Sequence, residues 1–534
     1  MPGPQRQQIN VYMFNSDVTA FEHALAERVD PNDHIPLQPF AGFEMRLYTR
    51  IRNSRRTRWM RMLRDGLAEG TPDPFAGFAN RIAGAALIVK KGPQFMAVTF
   101  GQGRHLINLA SRVKRFGLVV ALNLAPEQGL HTIQTRTHSD FTQTRAISNS
   151  RLTGLQRFGY DSEEDLLVQV SAKLAANKSM GYTITGKDVV NIVTDVSWAT
   201  LPTKCDRLVR IYRKPWRKLK FPDTANLEPI TDALLIDRLN TAMCLALCEP
   251  DHSGFHLAPY DVVIGSDDGF GFAADYNLGD PQPVVELDLA QFIAATGFAG
   301  PADYQILRSN HISYLLQAGG DAYGPWPVSD CLVGEIVHEG VTYILTGGQW
   351  ISPDVGYLHR VNALVAELRP DPALAQISSG GAKSENALID SAIAAYGPGY
   401  AKIHPRSIVW DGGHNRIEFA DCIGDKKLVY AKMEGSARDT SHLLTQAANG
   451  VKALASKDFR DAAIAQYGPN NPTVVPHIPQ AAPRLSEWTI VLLIGVRHPR
   501  LPQEFPVVQR IALKRLLDEF KLLGVNLFLH QATV

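Results

Sequence analysis

The chain has 534 residues, 45% hydrophobic and 20% charged, which excludes a disordered, collagen-like or coiled-coil protein and fits several globular domains. Its 54 Lys and Arg stand against 53 Asp and Glu. The net charge of +1 excludes a uniformly basic coat for nucleic acid but leaves room for a local basic patch. Five scattered cysteines (Cys205, Cys244, Cys248, Cys331, Cys422) do not make a disulfide scaffold. MPGPQRQQINVYMF lacks the apolar core of a signal peptide. The longest apolar run, Trp488–Val496, falls far short of the roughly 20 residues of a membrane helix. We therefore expect a soluble, bacterial, cytoplasmic protein with no membrane partner.

In chain order, Ile9–Phe14 reads as a first strand, and Ser16 or Asp17 caps a helix over Val18–Ala26. Ala85–Lys90 and Gln94–Phe100, joined by Lys91-Gly92-Pro93, form a hairpin. Leu118–Leu124 is an apolar run. His131–Arg136 reads as an exposed strand, because polar residues surround a single Ile. Glu163–Ala176 reads as an amphipathic helix with Leu166, Leu167, Val170 and Leu174 on one face. Leu234–Leu247 is helical. Tyr260–Gly265 and Gly271–Tyr276 flank a turn, as do Val341–Leu345 and Trp350–Ile351. A helix from about Asp354 to Leu368 ends at the Arg369-Pro370-Asp371-Pro372 boundary. Ser384–Ala395 and Ser441–Ala455 read as helices. Ser407–Trp410, Arg416–Ile423 and Leu428–Met433 read as strands. Five prolines between Pro469 and Pro483 bar regular helix or central strand there. Strand Trp488–Val496, helix Val507–Leu523 and strand Val525–His530 close the chain.

Two stretches concentrate positive charge. Met45–Asp65 holds eight arginines (Arg46, Arg50, Arg52, Arg55, Arg56, Arg58, Arg61, Arg64) with Tyr48 and Trp59 interleaved. Lys204–Lys220 holds Arg207, Arg210, Arg213, Lys214, Arg217 and Lys218 around Tyr212 and Trp216, with Asp206 its single acid. Arginine forks grip phosphates and aromatic rings stack on bases, so these runs are candidate nucleic-acid contacts. The alternative is a solvated basic helix face paired with acids of a neighbouring domain.

The segment with most chemistry is RIEFADCIGDKKLVYAKMEGSARDTSHLLTQAANGVKALA, Arg416–Ala455. Glu418 and Asp421 fall on one strand and Lys432 on the next. His442 and Gln446 share a helix face. Upstream, Glu385 opens a helix behind its cap Ser384. Converging carboxylates plus a lysine suit metal-assisted phosphodiester hydrolysis. Glu385, Glu418 and Asp421 would hold Mg²⁺ or Mn²⁺, and Lys432 would assist the attacking water. His442 and Gln446 would support the site or contact phosphates. The alternative is a surface hairpin with solvated acids and lysines. Cys244, Cys248, His252 and His256 are spaced four apart, yet an apolar helix and Pro250 favour buried small residues over a zinc site.

The order helix Glu, strand acid, strand lysine, helix with Gln resembles the core of restriction-endonuclease-like PD-(D/E)xK nucleases. That motif has an acid two residues before the lysine, where this chain has Tyr430. IEFADCIGDKKLVYAKMEGSARDTSHLLTQ is also similar to the "IE-x-CDL … HxK … LSHLF-x-QG" segment of a sporadically distributed bacterial family of uncharacterised proteins. VTFGQGRHLI, FGLVVALNL and TYILTGGQWISPD agree with it too. The family pattern falls on Glu418, Asp421, Lys432, His442 and Gln446. Tyr430 stands where the family has His, and Ala447 where it has Gly. Members are met in genomic islands, which implies a role in defence.

The expectation is thus a multidomain α+β protein with mixed sheets N-terminally and a restriction-endonuclease-like α/β core C-terminally. Residues 1–230 form an α+β domain with a basic surface, 231–370 a middle α+β domain, and 371–534 the nuclease-like domain with its Pro-rich loop 469–483. The expected function is metal-dependent nucleic-acid cleavage in anti-phage defence, on DNA in preference to RNA. The rival is a non-catalytic nucleic-acid-binding or sensor protein with a degenerate core. A homo-oligomer or a defence partner protein is open in either case.

Overall fold

The computed structural model describes residues 5–53, 81–137, 142–162, 165–175, 180–225, 227–249, 254–261, 270–273, 287–314, 323–353, 355–375, 377, 384–403, 407–410, 415–433 and 437–534. Strands β1 (Gln5–Met13), β2 (Glu44–Asn53), β3 (Arg81–Lys91), β4 (Gln94–Gly101), β5 (Leu130–Thr137), β6 (Thr144–Thr153), β7 (Asp165–Lys173), β8 (Thr183–Gly186) and β9 (Val190–Val196) form a nine-stranded sheet ordered β2-β3-β4-β1-β9-β8-β7-β5-β6. The β3–β4 hairpin closes as the sequence predicts, with Lys91 opposite Gln94. Ile9, Val11 and Met13 of β1 point to one apolar core, and Tyr12 belongs to the other, as the two-residue strand period requires.

Helix α1 (Phe116–Leu124) packs between this sheet and α2 (Leu201–Tyr212). Its sequence FGLVVALNL is apolar on all sides because both sides are covered. A Cβ on Gly117 would collide with the carbonyl of Val189, so only glycine lets the helix start this close to the sheet.

Three local readings are corrected here. Glu163–Ala176 is not a helix: it contains β7, an interior strand buried on both faces, whose apolar residues need not alternate. His131–Arg136 is a strand but not an exposed one. Gln134, Thr135 and Arg136 of β5 are buried, with the Asp261 carboxylate accepting from Gln134 and the Pro259 carbonyl from Arg136. Val18–Ala26 yields only a 3-10 turn at Glu22–Ala24. Leu25 turns extended and bridges Ile107, so tertiary backbone bonds override the helix signal.

Strands β10 (Leu227–Pro229) and β11 (Phe255–Leu257) edge a five-stranded antiparallel sheet. Strands β12 (Phe270–Ala273), β13 (His311–Tyr314) and β14 (Tyr323–Pro327) form a separate one. Strands β15 (Leu332–His338), β16 (Val341–Thr346) and β17 (Gln349–Pro353) complete the former, in the order β10-β17-β16-β15-β11. The turn expected between Tyr260 and Tyr276 lies outside the described residues, and β12 pairs with β13. Helices α3 (Trp216–Lys220), α4 (Ala233–Ala246), α5 (Leu289–Thr296), α6 (Tyr304–Ser309) and α7 (Val328–Cys331) lie in this part of the chain. Leu239, Met243, Phe292, Leu307 and Trp350 share its core.

Helix α8 (Val355–Val365) leads to the C-terminal part. Helix α9 (Glu385–Tyr396) precedes strands β18 (Tyr400–Lys402), β19 (Ser407–Trp410), β20 (Asn415–Glu418), β21 (Cys422–Gly424) and β22 (Lys427–Met433). Helices α10 (Ala437–Ala455) and α11 (Lys457–Asn470), strand β23 (Thr489–Val496), helix α12 (Val507–Leu523) and strand β24 (Asn526–Thr533) follow. A five-stranded sheet runs β18-β21-β22-β23-β24, with β22, β23 and β24 parallel. Helix α9 covers one face through Leu388, Ile389 and Ala392. Helices α10 and α12 cover the other, where α8 joins them through Tyr357 and Val361. Parallel strands need crossovers, and α10–α11 and α12 supply them. Pro469 sits in the last turn of α11. The proline-rich run beyond it makes only a 3-10 turn at Val475–His477.

Candidate functional sites

The strand expected over Arg416–Ile423 is two strands in two sheets. β20 pairs with β19 and ends at Glu418; β21 begins at Cys422 in the five-stranded sheet. Glu418 and Asp421 therefore do not share a strand. Asp421 is buried, and its Oδ2 accepts the N–H of Ala431 at 2.6 Å, where the short β21 offers β22 no backbone acceptor. Glu418 lies at the surface, where Gln446 donates to it and His442 Nε2 stands 3.6 Å from its Oε2. Gln446 and His442 are themselves 3.0 Å apart, as their helical spacing predicts. Glu385, in the first turn of α9, pairs instead with Lys432 at 3.3 Å.

The sequence-predicted constellation is thus divided: Lys432 with Glu385, Glu418 with Gln446 and His442, and Asp421 on the backbone. Among the described residues no group of three His, Cys, Asp or Glu side chains is placed to hold a metal ion. The three carboxylates do not fit one shared Mg²⁺ or Mn²⁺. Tyr430, at the acid position of the nuclease motif, is buried beneath α10. Gly450 has no Cβ to collide with its hydroxyl. Of the cysteine and histidine set, Cys244 is buried and the exposed Cys248 donates to its carbonyl oxygen at 3.2 Å. Burial pushes His256 down to about 4, and Thr142 lies 3.1 Å from its ring.

The second basic stretch folds as α2, a turn and α3. Leu201, Cys205, Leu208 and Val209 turn inward, so the remaining charges turn outward. Arg207, Arg210, Arg213, Lys214 and Lys218 are exposed, and Trp216 among them is 44% exposed. Their single acid, Asp206, is shared by Arg210 and Lys91, each at 2.8 Å. Arg217 is half-buried and its N–H donates to Asn123.

The first basic stretch begins as the edge strand β2, with Arg50 opposite Gly84 and Arg52 opposite Ile82. Glu44 at the other end of β2 faces Lys90, next to the Lys91 that meets Asp206. Arg50 is six ladder positions from there, roughly 20 Å at strand rise, so the two stretches do not merge through it. Arg55, Arg56, Arg58, Trp59 and Arg61 lie outside the described residues.

A third site was not legible in the sequence. A cleft of about 1520 Å³ opens where the start of α1 and the β8–β9 turn meet β16–β17, α6 and α7. Ion pairs between distant segments line it, with the Asp188 and Asp330 carboxylates buried. Arg112 reaches Asp188 at 2.9 Å and Asp330 at 3.6 Å; Lys114 reaches Asp330 at 2.5 Å; Lys187 reaches Asp261 at 2.6 Å. The Tyr260 hydroxyl donates to Asp188 at 2.7 Å, as does the backbone N–H of Arg115 at 2.9 Å. Burial pushes the Asp188 carboxyl up. Arg112, the Arg115 N–H, Lys114 and Tyr260 outweigh that and hold it down at about 2. Arg115 takes a left-handed φ of 59°, a conformation costly outside glycine and held here by the Asp188 bond.

Three of the strings that carry the resemblance to an uncharacterised family border this cleft. GQGRHLI supplies Arg104 and His105, FGLVVALNL starts beside Arg115, and the Gly347–Gly348 turn of TYILTGGQWISPD accepts from Lys114. A Cβ at Gly348 would collide with Lys114 Nζ and Asp330 Oδ1, so the glycine makes room for that pair. Glycine-bearing strings that carry no catalytic motif were the available signal.

No helix among the described residues is long and apolar enough to cross a membrane. Searches of curated proteins and of solved structures found no match. Residues 9–531 match the model of DUF6119, described as a family of unknown function, and the chain belongs to that family.

Proposed function

We propose that this protein binds nucleic acid, DNA in preference to RNA, through the exposed basic turn between α2 and α3, and that its C-terminal α/β unit is a nuclease-like scaffold that does not cut. The observation that carries the binding half is the surface of Arg207, Arg210, Arg213, Lys214 and Lys218 around the exposed Trp216, with Asp206 as its single acid. Cations in water gain affinity for a polyanion by releasing its condensed counterions, and an exposed indole stacks on a base. In a chain of net charge +1 this segregation localises the field.

Support for the scaffold half is the chain order α9, β20, β22, α10 alone, since β20 pairs in a separate two-stranded sheet from β22. The non-cutting half rests on three observations: Asp421 is committed to Ala431, Tyr430 is buried at the acid position, and Glu385 stands with Lys432 apart from Glu418.

Anisotropy of labelled duplex DNA at graded salt tests the binding half. Log affinity should fall linearly with log salt, and Arg213→Glu with Lys214→Glu and Lys218→Glu should abolish binding. An unchanged slope in that triple variant refutes the surface. Plasmid incubation with Mg²⁺ or Mn²⁺ against EDTA tests the other half. Intact plasmid is expected; EDTA-sensitive cutting that Lys432→Ala removes refutes it.

A further inference from the structure

Trp216 is 44% exposed and Leu219 is 81% exposed. They stand three apart on α3, hence side by side on one face of that short helix. Arg213, Lys214, Pro215 and Lys218 around them are exposed as well. One exposed leucine is ordinary on a protein surface, whereas an indole and a leucine together inside a basic turn mark a contact site.

The turn that carries them is fixed from beneath. Asn123, buried near the end of α1, donates through its side-chain amide to the carbonyls of Ile211 at 2.8 Å and Lys214 at 2.9 Å. Its Oδ1 accepts the N–H of Arg217 at 2.7 Å. Lys220 turns inward and donates to the carbonyls of Asn123 and Ala125, each at 2.7 Å. The chain is thus tied to α1 on both sides of Trp216, and little is left to order when the exposed pair meets a ligand.

Phosphates alone would need only the cations. In a duplex the base faces are stacked inside, and a side chain that reaches one must first unstack it. In a single strand the faces are open, and stacking on an aromatic ring adds about fivefold to about a hundredfold in affinity. An anionic bilayer would call for a wider apolar face: helices that lie in a membrane surface bury a whole apolar side, whereas α3 has five residues and exposes two apolar ones.

We propose that the α2–α3 surface selects unpaired over paired nucleic acid. One base stacks on Trp216, Leu219 packs against the next base or its sugar, and Arg213, Lys214 and Lys218 take the flanking phosphates. The inference rests on the reading of this surface as a nucleic-acid site and names the form of strand it takes. Duplex still binds there, through phosphates alone.

The test is anisotropy of the full chain with a labelled oligothymidylate of about 16 nucleotides, within the range of single-strand sites, and with its duplex with oligoadenylate at the same salt. The variants are Trp216→Ala, Trp216→Phe, Leu219→Ala and, as a control, Leu522→Ala, a leucine 90% exposed on α12. The single strand should bind about tenfold or more tighter than the duplex. Trp216→Ala should weaken single-strand binding by about fivefold to about a hundredfold and leave duplex binding unchanged. Trp216→Phe should keep most of the affinity, Leu219→Ala should lose less than Trp216→Ala, and Leu522→Ala should lose none. Equal affinity for the two forms overturns the inference while leaving the surface a nucleic-acid site. Single-strand binding that Trp216→Ala leaves intact overturns it too, and a thermal melt checks that this variant is folded. Absence of binding to either form overturns this inference and the reading beneath it together. Vesicles of phosphatidylserine and phosphatidylcholine form a third arm: vesicle binding that Trp216→Ala abolishes, in place of a strand preference, assigns the pair to a membrane and overturns the proposal.

Discussion

The central cleft and the C-terminal α/β unit both gather charged side chains, but in opposite ways. In the C-terminal unit the residues come from neighbouring stretches: Glu418 ends β20, Lys432 lies on β22, and His442 and Gln446 lie on α10. Proximity in sequence brings them near, yet they settle into separate small contacts. In the cleft Lys114 meets Asp330 across 216 positions and Gln134 meets Asp261 across 127. There Asp188 and Asp330 are buried and interlocked with Arg112 and Lys114. Local spacing brings charges close, whereas a network of buried pairs is a property of the packing.

Breaking the buried network should have the largest effect. Asp188→Ala strands Arg112 in a site where the carboxylate is only 8% exposed, so a loss of about 3–5 kcal/mol in chemical denaturation is expected. A loss below about 1 kcal/mol would mean that the cleft pairs behave like surface pairs. The same pair has a pH signature. Asp188 sits at about 2 in the fold against 3.8 unperturbed, so its stabilisation is complete above that range and is lost as pH falls through about 2. Calorimetric Tm measured from pH 5 downward should fall less steeply in Asp188→Asn than in the wild type.

Asp421→Ala comes next. It leaves the buried N–H of Ala431 without its acceptor, at a cost of about 1–3 kcal/mol, while Asp421→Asn keeps an acceptor and most of the stability. Equal Tm losses in the two variants would contradict the backbone role. Gly348→Ala combines a left-handed φ of 64° with the collision on Lys114 and should cost roughly 1–2 kcal/mol. Its measured loss should shrink in a Lys114→Ala background, which a double-mutant cycle would detect. The smallest change is Glu385→Gln. The Glu385–Lys432 pair is about a quarter exposed at each side chain, so its removal should shift stability by about 0–1 kcal/mol. A larger shift would give this pair the weight of the cleft network.

How far the sequence could be read follows from where each signal originates. The β3–β4 hairpin, α4, the β16–β17 hairpin, α9 and the closing β23–α12–β24 unit all appear where turn residues and apolar periodicity place them. The contact of His442 with Gln446 also follows from helical spacing alone. Strand β7 escaped because an interior strand buried on both faces carries no alternation, and its leucines happen to fall at helical spacing. The burial of β5 escaped because its cover is polar, with Gln134 and Arg136 meeting Asp261 and Pro259 from another segment.

The chain by itself determined many of the elements, the uneven distribution of a charge that sums to +1, and the basic run around Trp216, because propensity, capping and amphipathic spacing are local. Only the tertiary structure decided which charges are neutralised. It divided Glu385, Glu418 and Asp421 among three different partners, and it assembled Arg112, Lys114, Asp188 and Asp330 into one wall. The physical reason is that a carboxylate's role is set by the donors within a few ångströms, and sheet register and glycine-permitted close approach bring those donors from segments far apart in the chain.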